Sequence, residues 1–113
     1  MNTLTETLET YLVVINLPGP NWVNPLPSMP EAAEQHRAIY QSLLDEGALI
    51  SAGRLDGTPV MGIALFHQDV DEDALRARLD NDEIVKRGYI VLEYRHWELR
   101  SGSLAGVKAF PKR

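Results

Sequence analysis

This sequence predicts an α+β domain built on one four-stranded antiparallel sheet, and three observations carry that prediction. Apolar stretches of strand length alternate with stretches whose apolar residues recur every three or four positions, in the order strand, helix, strand, strand, helix, strand. An Asp56-Gly57 pair between the second and third strands is a hairpin signal. The chain has 113 residues, of which 44% are hydrophobic and 24% charged, a composition that supports one globular core and falls short of two.

The elements follow in order. Residues 1–10 are a polar N-terminal tail, and Tyr11 to Leu17 (YLVVINL) reads as a strand that is apolar on both faces apart from Asn16. Five prolines between Pro18 and Pro30 forbid regular structure and stiffen a long loop, whose Trp22 either walls a pocket or packs as a rigid cap. Pro30 opens the main helix, with Glu31 and Glu34 at its positive end. Ala32, Ala33, Ile39, Tyr40, Leu43 and Leu44 form one helical face, and His36 falls in the same stripe. The helix stops at Gly47.

Ala48 to Gly53 and Pro59 to Phe66 form the second and third strands, the third again apolar on both sides. Val70, Ala74, Leu75 and Leu79 mark a second helix that begins with Asp71, Glu72 and Asp73 and is interrupted at Asn81 and Asp82. A short turn from Glu83 to Arg87 leads through Gly88 into a last strand from Tyr89 to about Leu99. The domain spans residues 11–100. Residues 101–113 are a basic C-terminal tail, either an arm that packs on a partner or a mobile end.

With the first and third strands central, this is the split βαββαβ pattern of the ferredoxin-like fold, with both helices on one face of the sheet. The other face then has nothing to cover it. Val14, Met61 and Ile63 would meet water or compete for one core, so the reading predicts a homodimer packed sheet to sheet.

The formal charge of -5 disfavours nucleic acid as a partner, because that role needs a basic face. The absence of cysteine excludes disulfides and thiolate chemistry, and no HxxxH or HxH spacing suggests a metal. No Gly-rich phosphate loop precedes a helix, so no cofactor is expected. No apolar run approaches the roughly 20 residues that cross a bilayer, and the first residues lack the features of a signal peptide, so the expected setting is the cytoplasm, away from membranes.

The topology decides which polar residues meet. The first helix starts and the second helix ends at the same edge of the sheet, which brings His36 and Asp82 together although they are 46 positions apart. A carboxylate beside an imidazole fixes the tautomer of the ring and strengthens it as a general base. Arg54, closing the second strand, and Tyr89, opening the last, lie at that edge and could bind or polarise an oxygen of a substrate, with Trp22 close by. The plainer alternatives are a histidine satisfied within the core and an aspartate that only caps a helical turn. His67 and His96 fall toward the far edge.

Two stretches resemble the YCII-related family of the dimeric alpha-beta barrel superfamily. They are HRAIYQSLLDEGALISAGRL (His36 to Leu55) and NDEIVKRGYIVLEYRHWEL (Asn81 to Leu99). The resemblance implies a His36–Asp82 dyad in a pocket closed by the loop after the first strand. It also implies a small cofactor-independent enzyme, a dehydrochlorinase-like lyase or an isomerase, acting on a small oxygenated and often cyclic metabolite. A non-catalytic binding or accessory dimer is the alternative. Glu83 and Ile84 stand where the family has Pro and Phe, and Arg54 stands in place of a Pro, which hints at an anionic or phenolate ligand.

Overall fold

The computed structural model describes residues 9–106 of the chain. Within them run β1 (Thr10–Pro18), α1 (Pro30–Asp45), β2 (Leu49–Arg54), β3 (Gly62–Phe66), α2 (Glu72–Asp80), the single turn α3 (Glu83–Lys86) and β4 (Ile90–Glu98). The four strands form one antiparallel sheet in the order β2-β3-β1-β4, the ferredoxin-like arrangement.

Strand parity decides what the apolar runs do. Leu12 and Val14 of β1 and Ala64 and Phe66 of β3 are buried with Leu43 of α1 and Leu75 and Leu79 of α2, so both helices cover the same face. Val13 and Ile15 alternate to the opposite face, where they lie across from Leu65 and Ile63. Trp97 of β4 is 49% exposed. The expectation that Val14, Met61 and Ile63 would meet water or compete for one core is corrected for two of them: Val14 is fully buried under the helices, and Met61 lines a cavity beside His36. An unbroken apolar run does not disclose its own parity, and the pairing register supplies it.

The ends of the elements follow local chemistry. Asp71 caps α2, its carboxylate accepting from the Ala74 N–H at 3.1 Å. After α1 the chain turns at Gly47, whose φ of 83° is a conformation that side chains disfavour. β3 begins at Gly62 rather than Pro59. Leu55 N–H bonds to the Met61 carbonyl, and Met61 N–H bonds to the Asn16 carbonyl, so the hairpin connection is wider than the Asp56-Gly57 pair alone suggests.

The proline loop is tied to the start of β4. Gly19 N–H bonds to the Tyr89 carbonyl at 2.9 Å, Asn21 N–H to the Gly88 carbonyl at 2.8 Å, and the Asn21 amide donates to the Arg87 carbonyl at 2.8 Å. At the opposite end, the Glu9 carboxylate accepts from Tyr11 Oη at 2.8 Å, from Leu104 N–H at 2.9 Å and from the Ser103 hydroxyl. The first residues of the basic C-terminal segment therefore lie against the base of β1. Residues 1–8 of the polar N-terminal tail and 107–113 of the basic tail lie outside the described residues. No helix among the described residues is long and apolar enough to cross a membrane.

Candidate functional site

The site begins with how α1 holds the turn after α2. Leu79 and Ile84 are buried on either side of Asp82. Asp82 N–H bonds to the Leu79 carbonyl at 3.2 Å, and Asp82 Oδ1 caps α3 by accepting from Ile84 N–H at 2.9 Å. Gln35 of α1 reaches the same turn from the other side. Its Oε1 accepts from Glu83 N–H at 2.8 Å and its Nε2 donates to the Asn81 carbonyl at 3.3 Å. The neighbouring His36 completes the link, with Nδ1 2.5 Å from Asp82 Oδ2.

Burial gives the two partners different roles. Asp82 is 2% exposed, whereas the His36 side chain keeps 32% of its surface open. With an ionised carboxylate on Nδ1, that nitrogen carries the ring proton and donates it, which leaves Nε2 as the free acceptor. His36 lines a cavity of about 620 Å³ between α1 and the β2–β3 end of the sheet, and Asp82 does not line it. Carboxylate, imidazole and open space thus follow one another in that order. The capping role and the imidazole contact, which the sequence presents as rival readings, coexist because each uses a different carboxylate oxygen.

Arg54 lines the same cavity as His36. Trp22 and Tyr89 do not line it. They lie instead where the proline loop meets the start of β4: Trp22 N–H bonds to the Gly19 carbonyl, and Tyr89 N–H bonds to the Ile84 carbonyl just beyond Asp82. His67 lines a separate cavity with Tyr11 and Gly47, and His96 Nε2 lies 2.7 Å from Glu72 Oε2. Among the described residues no three His, Asp or Glu side chains come together as a metal-binding group.

Three contributors escaped the sequence reading. Tyr40 stands one helical turn beyond His36, with ring centroids 5.0 Å apart, and lines the cavity. Burial, with the Asp82 charge as a smaller cause, pushes its phenol from the usual 10 up to about 12, so it remains a neutral hydroxyl. Its spacing of four from His36 was visible, but an aromatic in an apolar stripe reads as core. Asn16, the one polar residue of β1, also lines the cavity, opposite Gly62 in the register. A Cβ on Gly62 would sit 3.4 Å from Asn16 Nδ2 and 2.9 Å from the Gly53 carbonyl oxygen, so glycine keeps that floor open. Gln35, which pins the Asp82 turn, gave no signal beyond its position next to His36.

Comparison of the chain with protein-family models, curated proteins and solved structures finds no match.

Proposed function

We propose that this chain is a small cofactor-independent enzyme, a lyase or isomerase, that uses His36 and Asp82 for general acid/base chemistry on a small oxygenated metabolite. The observation that supports it is the 2.5 Å contact between His36 Nδ1 and the buried Asp82 carboxylate, with the partly exposed His36 lining a cavity of about 620 Å³. That volume falls within the roughly 300–1,000 Å³ of small-molecule sites. In this reading His36 Nε2 takes a proton from a carbon or hydroxyl of the substrate, and Asp82 holds the imidazolium that results. Negative charge collects on a substrate oxygen, where Arg54 offsets it. An isomerase then returns the proton to a second carbon; a lyase instead expels an adjacent leaving group.

The proposed kinship with the YCII-related family rests on the two sequence stretches and is consistent with the ferredoxin-like sheet. A homodimer packed through the uncovered sheet face belongs to the same proposal, supported by Val13, Ile15, Ile63, Leu65 and Trp97 on one side of the sheet. A cytoplasmic setting completes it.

One observation favours a second reading. Asp82 also caps α3, so the His36–Asp82 contact would serve equally as a clasp between α1 and α3 in a non-catalytic binding module. Screening small phenols, quinones and lactones for turnover, with His36→Ala as control, separates the two. The enzyme reading expects turnover by the wild type and a loss of about 100-fold or more in the variant, the usual weight of a general base. A folded His36→Ala protein with full activity refutes it, and ligands that bind without reacting favour the binding module.

A further inference from the structure

The chain carries 16 Asp and Glu against 11 Lys and Arg, yet among the described residues no Asp or Glu lines the cavity beside His36. Two guanidinium groups do, those of Arg37 and Arg54. Arg37 is neutralised by Glu34, one turn back on the helix at 2.6 Å. Among the described residues Arg54 forms no ion pair. The nearest carboxylate to the imidazole, Asp82, sits behind the ring and is almost wholly buried.

The neutral groups agree with that charge. No hydrogen bond within the described residues engages the Tyr40 hydroxyl or the Asn16 amide, and Tyr40 and Asn16 are among the residues that line the cavity. Leu44, Leu49, Met61 and Ala64 give the rest of the wall a mainly apolar surface, interrupted by Ser51 and by Gln41, whose amide donates to Asp45.

From this distribution we infer that the cavity selects a small organic monoanion with an apolar body, a carboxylate or a phenolate, held by Arg54 with Asn16 and Tyr40 as neutral donors. The inference rests on the reading of this cavity as the working site and adds the charge class of its ligand. Charge selection has a direct physical basis: one unpaired guanidinium attracts an anion, and no wall carboxylate opposes it. A cation would meet Arg54 without compensation, and a neutral amide of the same shape would forgo the charge-assisted bond. Because the Tyr40 phenol stays protonated well past neutral pH, its hydroxyl can donate to the anion throughout the physiological range.

The test uses benzoate and 4-nitrophenolate as the two anionic probes, benzamide as the neutral isostere and benzylamine as the cation, each titrated into the full chain by calorimetry and amide NMR. At least one anion should bind about tenfold more tightly than benzamide, the difference expected between a charge-assisted and a neutral hydrogen bond, and should weaken as salt rises. The better of the two anions identifies the source of the charge. Arg54→Gln, at an exposed position whose folding is checked by circular dichroism, should abolish the preference; Arg37→Gln should leave most of it, and Tyr40→Phe should weaken both anions. Equal binding of benzamide, no change in Arg54→Gln, or no binding by either anion overturns the inference. His36→Ala separates it from the acid/base reading: retained anion preference in a variant that still turns substrate over would end the catalytic role of His36 while upholding the selection by charge.

Discussion

Deleting the two partners of the buried contact, singly and together, measures whether it holds the fold as the geometry requires. Asp82→Ala removes two interactions. One is the helix cap to Ile84 N–H, worth about 1 kcal/mol. The other is the 2.5 Å contact with His36, which as a charge-assisted bond is worth about 1.5–3 kcal/mol, taken at the lower end because the ring is 32% exposed. The expected loss is about 2–3 kcal/mol, or a fall in Tm of roughly 10–20 °C for a domain of this size. His36→Ala should cost about 1–2 kcal/mol, since Asp82 keeps the cap but loses its other partner. The double variant should then be less destabilised than the sum by about 1–2 kcal/mol, a coupling that urea unfolding monitored by circular dichroism resolves. Additivity within about 0.3–0.5 kcal/mol would refute the reasoning, because groups that touch do not behave as independent sites.

Stability should fall as pH rises above 10. Unfolded chains release the Tyr40 proton near 10 whereas the folded chain holds it to about 12, so the native state binds more protons in that window. The loss is up to about 2–3 kcal/mol for a two-unit shift, and Tyr40→Phe should flatten the pH profile. The Tyr94 phenol, raised by burial and by Asp80, contributes in the same direction and keeps part of the slope.

In acid, the Glu9 latch should open. Its carboxyl is held below the usual value by the Ser103 hydroxyl, then by Leu104 N–H and Tyr11, so its contribution is present above about 4.5 and is lost as pH falls through the lower, folded value. The protection of the Leu104 amide against hydrogen exchange, taken relative to the intrinsic rate at each pH, should fall there and in Glu9→Gln at neutral pH. Gly19→Ala should destabilise the proline loop by roughly 1–3 kcal/mol, because the added Cβ would lie 2.3 Å from the Gly88 carbonyl oxygen; thermal melts check it. Ile63→Glu should yield monomers by analytical ultracentrifugation if the uncovered sheet face joins two copies, and an unchanged mass would argue against that interface.

Much of this molecule was legible in one dimension because local signals are short-range physics. Pro30 and Gly47 bracket α1 through their backbone constraints, and Asp71 announces α2 by offering its carboxylate to orphan amides. The order of elements, with two strands too apolar for a sheet edge, was enough to reach the ferredoxin-like topology and to bring His36 toward Asp82. What stayed hidden depends on direction. An apolar run does not say that Val14 faces the helices and Val13 does not, and a glutamine beside a histidine does not announce that it grips the turn carrying Asp82.

The sequence by itself determined the strands and helices and their order, because helix caps, turn glycines and apolar periods act over a few residues. Only the tertiary structure decided that Asp82 spends one oxygen on the α3 cap and the other on His36, that Tyr40 and Asn16 share the cavity with Arg54, and that Trp22 and Tyr89 do not line it. Those outcomes turn on strand register and on which side chain reaches across a gap between distant segments, and neither quantity is stored in the spacing of residues along one chain.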